Sequence, residues 1–126
     1  MTKILVIDDE LEICKQISLT LSKHGYNVEY ANSYKEFSEL EINDFNYDVV
    51  LVALWLKNST KQGIDIIQYL KNKYDNLVIV SFSGHANIDN AIDSVKAGAN
   101  DFIEKPFETK KLIHIIQKNI LELKQR

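Results

Sequence analysis

The chain carries a single cysteine, Cys14, which excludes an internal disulfide. A single proline, Pro106, and four glycines are its only strong breakers, so each can be read individually. No apolar run approaches the length of a membrane span. No secretory leader pattern is present, since Lys3 and the acidic run Asp8, Asp9 and Glu10 flank the first short apolar run. Together these absences point to the cytoplasm and to no membrane partner. A basic excess is also missing. The net charge of -3 is wrong for gripping a nucleic-acid backbone, so any contact with DNA must be made by a separate domain. No G-x-G-x-x-G and no P-loop follow any strand, which removes the common nucleotide-binding enzymes. A flavin domain would need a phosphate cradle after the first strand, where Asp8 and Asp9 would repel phosphate instead. His24, His85 and His114 are scattered, and read as solvated or capping side chains rather than a metal cluster.

What is present suits one domain. The chain has 126 residues, 45% hydrophobic and 26% charged, enough for a single core. Lys3 to Ile7 is a short apolar run, read as a buried strand, that leads straight into Asp8-Asp9-Glu10. Leu11 to His24 carries Ile13, Cys14, Ile17 and Leu21 at helical spacing and is stopped by Gly25. Cys14 reads as a small core residue on that face. Tyr26 to Ala31 alternates, with Tyr26, Val28 and Tyr30 opposite Asn27 and Glu29, as in a half-buried edge strand. Ser33 and Glu36 form a capping-box pattern before a short helix holding Phe37 and Leu40.

The most apolar stretch is Tyr47 to Leu56, with its strand over about 47–53 buried on both faces. A polar loop from Lys57 to Gln62 precedes a helix with Ile66, Ile67, Leu70 and Tyr74 on one face. Leu77 to Phe82 is a second fully apolar strand, running on into Ser83 and Gly84. The next helix is expected to bury Ile88, Ile92 and Val95 and to stop at Gly98. Asp101 to Glu104 is a short strand before Lys105-Pro106, and a last helix starts at about Glu108. Strand and helix thus alternate five times, which implies a doubly wound α/β fold with a parallel sheet covered on both faces. Right-handed crossovers and an edge position for the second strand favour the flavodoxin-like order 2-1-3-4-5.

In such a sheet the C-terminal strand ends share one edge. They would deliver Asp8 and Asp9, then Ala53, Ser83 and Lys105. Two adjacent carboxylates repel by roughly 4 kcal/mol at about 4 Å and an effective dielectric near 20. A hard divalent cation relieves that repulsion, and magnesium is held by a few carboxylates, waters and phosphate. A hydroxyl and an ammonium on the far side suit a phosphoryl group.

These segments resemble the receiver domain of two-component response regulators, over the whole chain. The matching runs are Ile4-Leu5-Val6-Ile7-Asp8-Asp9-Glu10, Asp48-Val49-Val50-Leu51-Val52, Ser83-Gly84-His85, and Gly98 through Phe107. Trp55-Leu56, the long loop before Gly63 and Ser83-Gly84-His85 further resemble the NtrX-like nitrogen-regulation subgroup. There the receiver precedes a sigma-54-interacting ATPase and a DNA-binding domain. The resemblance therefore implies that residues 1–126 are one receiver domain taken from a longer transcriptional regulator. It implies magnesium on Asp9 directly, on Asp8 through water and on the Trp55 backbone carbonyl. It implies Ser83 and Lys105 as the hydroxyl and cation that hold the phosphoryl group, Phe102 as the aromatic switch residue, and a cis Lys105-Pro106 bond. The implied partner is a sensor histidine kinase.

The acceptor aspartate of the family is replaced by Ala53, so no phosphorylation chemistry carries over and magnesium binding is weakened or lost. A lesser departure is Lys57, where many receivers have proline. Two readings of Ala53 remain open. An engineered Asp-to-Ala change is favoured by the survival of Asp8, Asp9, Ser83 and Lys105; the other is a natural pseudo-receiver acting as an interaction module. In either case the chain is not an enzyme. In the last helix Leu112, Ile116 and Leu123 can face the sheet, while Ile113, Ile116, Ile120 and Leu123 follow a coiled-coil spacing. That stripe is either a broad core face or a homodimer seam. A second dimer candidate is the face of the fourth helix, fifth strand and fifth helix.

Overall fold

Apolar runs too short to be helices lie at the centre of the molecule as strands, and amphipathic segments cover them. The structure, a computed structural model, describes residues 1–57, 59–84 and 88–125. In chain order the elements are β1 (Lys3–Ile7), α1 (Leu11–Lys23), β2 (Asn27–Ala31), α2 (Tyr34–Asn43), β3 (Val49–Ala53), α3 (Gly63–Lys73), β4 (Val78–Ser83), α4 (Ile88–Ala97), β5 (Asp101–Glu104) and α5 (Thr109–Lys124). The five strands form one parallel sheet in the order β2-β1-β3-β4-β5. Every residue of β3 and β4 is buried, as expected of strands covered on both faces.

Register brings the functional ends together. Ile7 pairs with Val52 and Ala53 with Phe82, so the chain leaves β1, β3 and β4 at nearly the same level. Beyond the ladder, the Leu54 N–H donates to the Phe82 carbonyl and the Lys105 N–H to the Ser83 carbonyl, each at 3.0 Å. Gly25, at φ +90°, ends α1, and Gly98, at φ +123°, ends α4; both adopt a left-handed conformation that side chains resist.

Three details differ from the sequence reading, and in α5 the packing agrees with one of its two readings, the broad core face. Ile92 and Val95 were expected inside, yet they are 43% and 56% exposed. The face of α4 turned inward holds Ser94 and Ala97, small residues that let the helix sit close to its neighbours, so the larger side chains are rotated outward. The side chain of Ile88 lies outside the described residues. In β2, Tyr30 is exposed while Glu29 is half-buried, because Glu29 takes the Tyr47 hydroxyl at 2.7 Å and the Lys3 ammonium at 3.1 Å. At the start of α2 the Ser33 hydroxyl does accept the Glu36 N–H, but the Glu36 carboxylate caps the Asn32 N–H instead of that of Ser33. In α5 the inward face includes Ile115 and Asn119 beside Leu112 and Ile116. Ile113, Ile120 and Leu123, the proposed seam residues, are half-buried and pack on this chain's own core.

One surface carboxylate ties α2 to α3. Glu41 accepts the Tyr69 hydroxyl at 2.7 Å, the Lys73 ammonium at 2.6 Å and the Tyr74 hydroxyl at 2.7 Å. Burial opposes its charge most strongly among single influences, but these three donors together hold its carboxyl below the ordinary 4.5. A depressed carboxyl contributes stability that is present above the unfolded value and is lost as pH falls through the folded one. Glu41→Gln should therefore lower stability near neutrality by about 1 kcal/mol, the scale of a charge-assisted hydrogen bond. The deficit should shrink as the pH drops below 4.5. Urea melts of both proteins across that range check this; a pH-independent difference would contradict it.

Candidate functional site

The site is built at the C-terminal edge of the sheet, where the strand register delivers one polar group after another. Asp8 follows β1 and is 0% exposed. Its Oδ2 accepts the Lys105 ammonium at 2.8 Å, and its Oδ1 accepts the Glu10 N–H at 3.0 Å. Burial pushes its carboxyl above the ordinary range, although Lys105 and the Glu10 amide draw it back. The Asp8 main-chain carbonyl is held too, by the Asn32 amide at 2.9 Å and the Cys14 thiol at 3.4 Å. Cys14 is fully buried, and burial together with the Asp8 charge pushes its thiol up to about 12. It is a protonated core residue, as its position on the helix suggests.

Asp9 turns to the other side. Its Oδ2 accepts the Lys57 N–H at 2.9 Å. One oxygen from each of Asp8, Asp9 and Glu10 lies within 4.8 Å of the others, a hard oxygen set of the kind magnesium prefers. Ala53 ends β3, with its small side chain almost wholly buried. Ser83 ends β4 and is buried. Lys105 leaves β5 through a cis peptide bond to Pro106. Its ammonium lies 4.8 Å from the centre of the Phe82 ring, which in turn meets Phe107 edge-on.

Asp9, Glu10, Ala53, Trp55, Lys57, Phe82, Ser83, Gly84 and Lys105 line one cavity of about 160 Å³. The structure thus gathers Asp9, Ala53, Trp55, Ser83 and Lys105, with Asp8 directly behind Lys105. Phe102 does not join them; it sits half-buried on the flank, against the core. Trp55 is 58% exposed at the cavity rim. His24 caps α1, with its ring nitrogen 3.0 Å from the Thr20 carbonyl, and His114 is exposed on α5. His85 lies outside the described residues.

Sequence reasoning missed two contributors. Gly63 starts α3 against the end of β3, and its N–H donates to the Leu54 carbonyl at 3.1 Å. A Cβ there would run into the Ala53 carbonyl oxygen and lie 2.7 Å from Leu54 Cα. Gln62 is the second: with Asp65 it forms a capping box for α3 and also holds the loop before it. The signal for a helix start was present in Gln62-x-x-Asp65, but a glutamine is an uncommon cap.

A family model described as "Response regulator receiver domain" matches residues 4–117. The nitrogen assimilation regulatory protein NtrX of Azorhizobium caulinodans is 31% identical over 123 residues, covering 98% of this chain and 27% of its own length. The solved receiver domain of NtrX from Brucella abortus is 33% identical, with a TM-score of 0.85, and the match covers 93% of this chain and 97% of that one. A CheY-like receiver from Methanospirillum hungatei superposes with a TM-score of 0.89 at 24% identity, covering 99% of this chain and 98% of that one, a likeness of fold. The chain spans about a quarter of the length of the curated relatives it matches.

Proposed function

Because the chain belongs to the response regulator receiver domains, and to the NtrX type of two-component regulator, we propose that its cavity is a phosphoryl-acceptor pocket lacking its acceptor. The observation that carries this is the meeting of Asp9, Ala53, Ser83 and Lys105 around one cavity. With aspartate at position 53, a carboxylate oxygen would attack the phosphorus of a histidine kinase's phosphohistidine. The P–N bond would break, leaving an acyl phosphate here and a neutral imidazole on the kinase. Alanine has no lone pair to offer, so the chain is held in the unphosphorylated state.

The remaining residues keep definite roles. Ser83 and Lys105 would take the phosphoryl oxygens, with Lys105 leaving Asp8 to do so. Asp9 directly, Asp8 through water and the Trp55 carbonyl would hold magnesium. The ion, when bound, offsets the charge that gathers between carboxylates and phosphoryl group. Movement of Ser83 and Lys105 would pull on β5 and α4, with Phe102 on the flank as the side chain that follows. The natural pseudo-receiver reading shares this geometry; the residue encoded at position 53 in the source genome separates the two.

Incubation with acetyl phosphate and magnesium should leave this chain at its own mass, while Ala53→Asp gains one phosphoryl group. A phosphoryl adduct on the unmodified chain would sink the assignment. The same pair gives a metal-dependent stability difference. Without metal, Ala53→Asp crowds a third carboxylate into the pocket and should be less stable by on the order of 1 kcal/mol. Magnesium should narrow or reverse that gap, since it binds more tightly with the additional carboxylate. Melts in EDTA and in millimolar magnesium test this, and an equal rise for both proteins would place residue 53 away from the cation.

The output side of the proposal is a cytoplasmic regulator that acts on DNA through a separate domain and pairs with a second copy of itself. The exposed Ile92 and Val95 on α4 support pairing through the α4-β5-α5 face. Sedimentation should show association of the chain that Ile92→Glu with Val95→Glu abolishes. A monomer at every concentration would remove the pairing.

A further inference from the structure

The loop joining β3 to α3 is tied into the acidic pocket by a set of hydrogen bonds. Lys57 supplies one through its main chain, donating its N–H to Asp9 Oδ2 at 2.9 Å. The preceding peptide groups are held from the far end of the loop. Gln62 Oε1 accepts the Leu56 N–H at 2.7 Å, and Gln62 Nε2 donates to the Leu56 carbonyl at 3.0 Å. The Leu56 side chain is buried beneath. Gln62 is itself fixed at the start of α3, where its N–H donates to Asp65 at 2.9 Å. The Lys57 N–H is therefore aimed at Asp9 by a clamp rooted in a helix.

The four carboxylate oxygens of Asp8 and Asp9 are mostly committed. Asp8 gives one to the Glu10 N–H and one to Lys105, and Asp9 gives one to Lys57. Asp8 is thus paired on both oxygens and Asp9 on one. We infer that the Lys57 amide, set in place by Gln62 as a positioning residue, stands in for the pocket's cation and competes with it for Asp9. The inference rests on the pocket being the magnesium site proposed above. An N–H bond draws negative charge from the very oxygens a cation needs, so loop closure and cation binding oppose each other. The opposition depends on the backbone of residue 57. Any residue with an N–H sustains it, and proline cannot.

That dependence gives the test. Magnesium affinity is followed through Trp55, the one tryptophan, which lines the same cavity. Lys57→Ala and Lys57→Pro are compared in this chain and in Ala53→Asp. Both lose the ammonium, and only the proline variant loses the N–H. The proline variant should bind magnesium about fivefold more tightly than the alanine variant, the scale of one net hydrogen bond. Equal or weaker binding overturns the competition. Gln62→Leu, which keeps the N–H and releases the clamp, should shift affinity in the same direction and replaces the proline variant if that fails to fold. Hydrogen exchange supplies a metal-free readout: the Lys57 amide should exchange about tenfold faster in Asp9→Ala than in the parent. Equal rates would show that the bond to Asp9 does not hold the loop. Magnesium binding in neither background would overturn the pocket reading and the competition together. Binding that ignores the proline–alanine difference would overturn the competition alone.

Discussion

Gly63→Ala should destabilise the chain by about 3 kcal/mol, at the upper end for overpacking, and lower its melting midpoint by roughly 10 °C. The added Cβ meets backbone, with the Ala53 carbonyl oxygen, the Ala53 carbonyl carbon and Leu54 Cα all too close, and none of these can rotate away. Relief requires α3 to withdraw from β3 or the Ala53–Leu54 peptide to turn. Either movement strains the Gly63 N–H bond to Leu54 and the Leu54 N–H bond to Phe82. Alanine favours a helix over glycine by up to about 1 kcal/mol, which is too little to offset the overlap. Denaturant melts measure the difference. A variant within about 0.5 kcal/mol of the parent would mean that α3 does not press on the strand end as described.

Lys105→Met should be the second severe change. It strips the fully buried Asp8 carboxylate of its ammonium partner and leaves the Glu10 N–H on its other oxygen. Removing one member of a buried pair costs about 3–5 kcal/mol when the other stays charged. Burial already raises the carboxyl of Asp8, which pulls the loss toward the lower end of that range. Asp8→Asn removes the stranded charge while keeping an oxygen for the Glu10 N–H. The double variant should therefore recover most of the loss. Melts of the parent, both single variants and the double variant close the cycle, and a coupling below about 0.5 kcal/mol would show the pair to be energetically idle.

The strand order and the acidic edge were legible because they depend on residue type and sequence position alone. Continuous apolar runs this short, bounded by polar turns, read as buried strands, and right-handed crossovers then place Asp8, Ser83 and Lys105 along one edge. The burial of α4 was not legible. Ile92 and Val95 have the spacing of an inward stripe, but the sheet accepts the smaller Ser94 and Ala97 instead, a choice set by the closeness of neighbouring elements. The loop after Ala53 was also hidden. A glutamine holding the Leu56 peptide and a lysine acting through its main chain carry no distinctive residue signature, since the bonding groups are common to nearly every residue.

The small inward face of α4 has a mechanical meaning. Hydrophobic attachment scales with the apolar area removed from water, and serine and alanine offer little of it. Rolling α4 by a fraction of a turn would lift two small side chains and bring two large ones toward cover. The work of loosening one face is partly returned by the other. Among the described side chains, the helix is thus held by little apolar area, beside a sheet whose β3 and β4 are buried along their whole length. Rolling α4 would therefore uncover less apolar area than displacing β3 or β4.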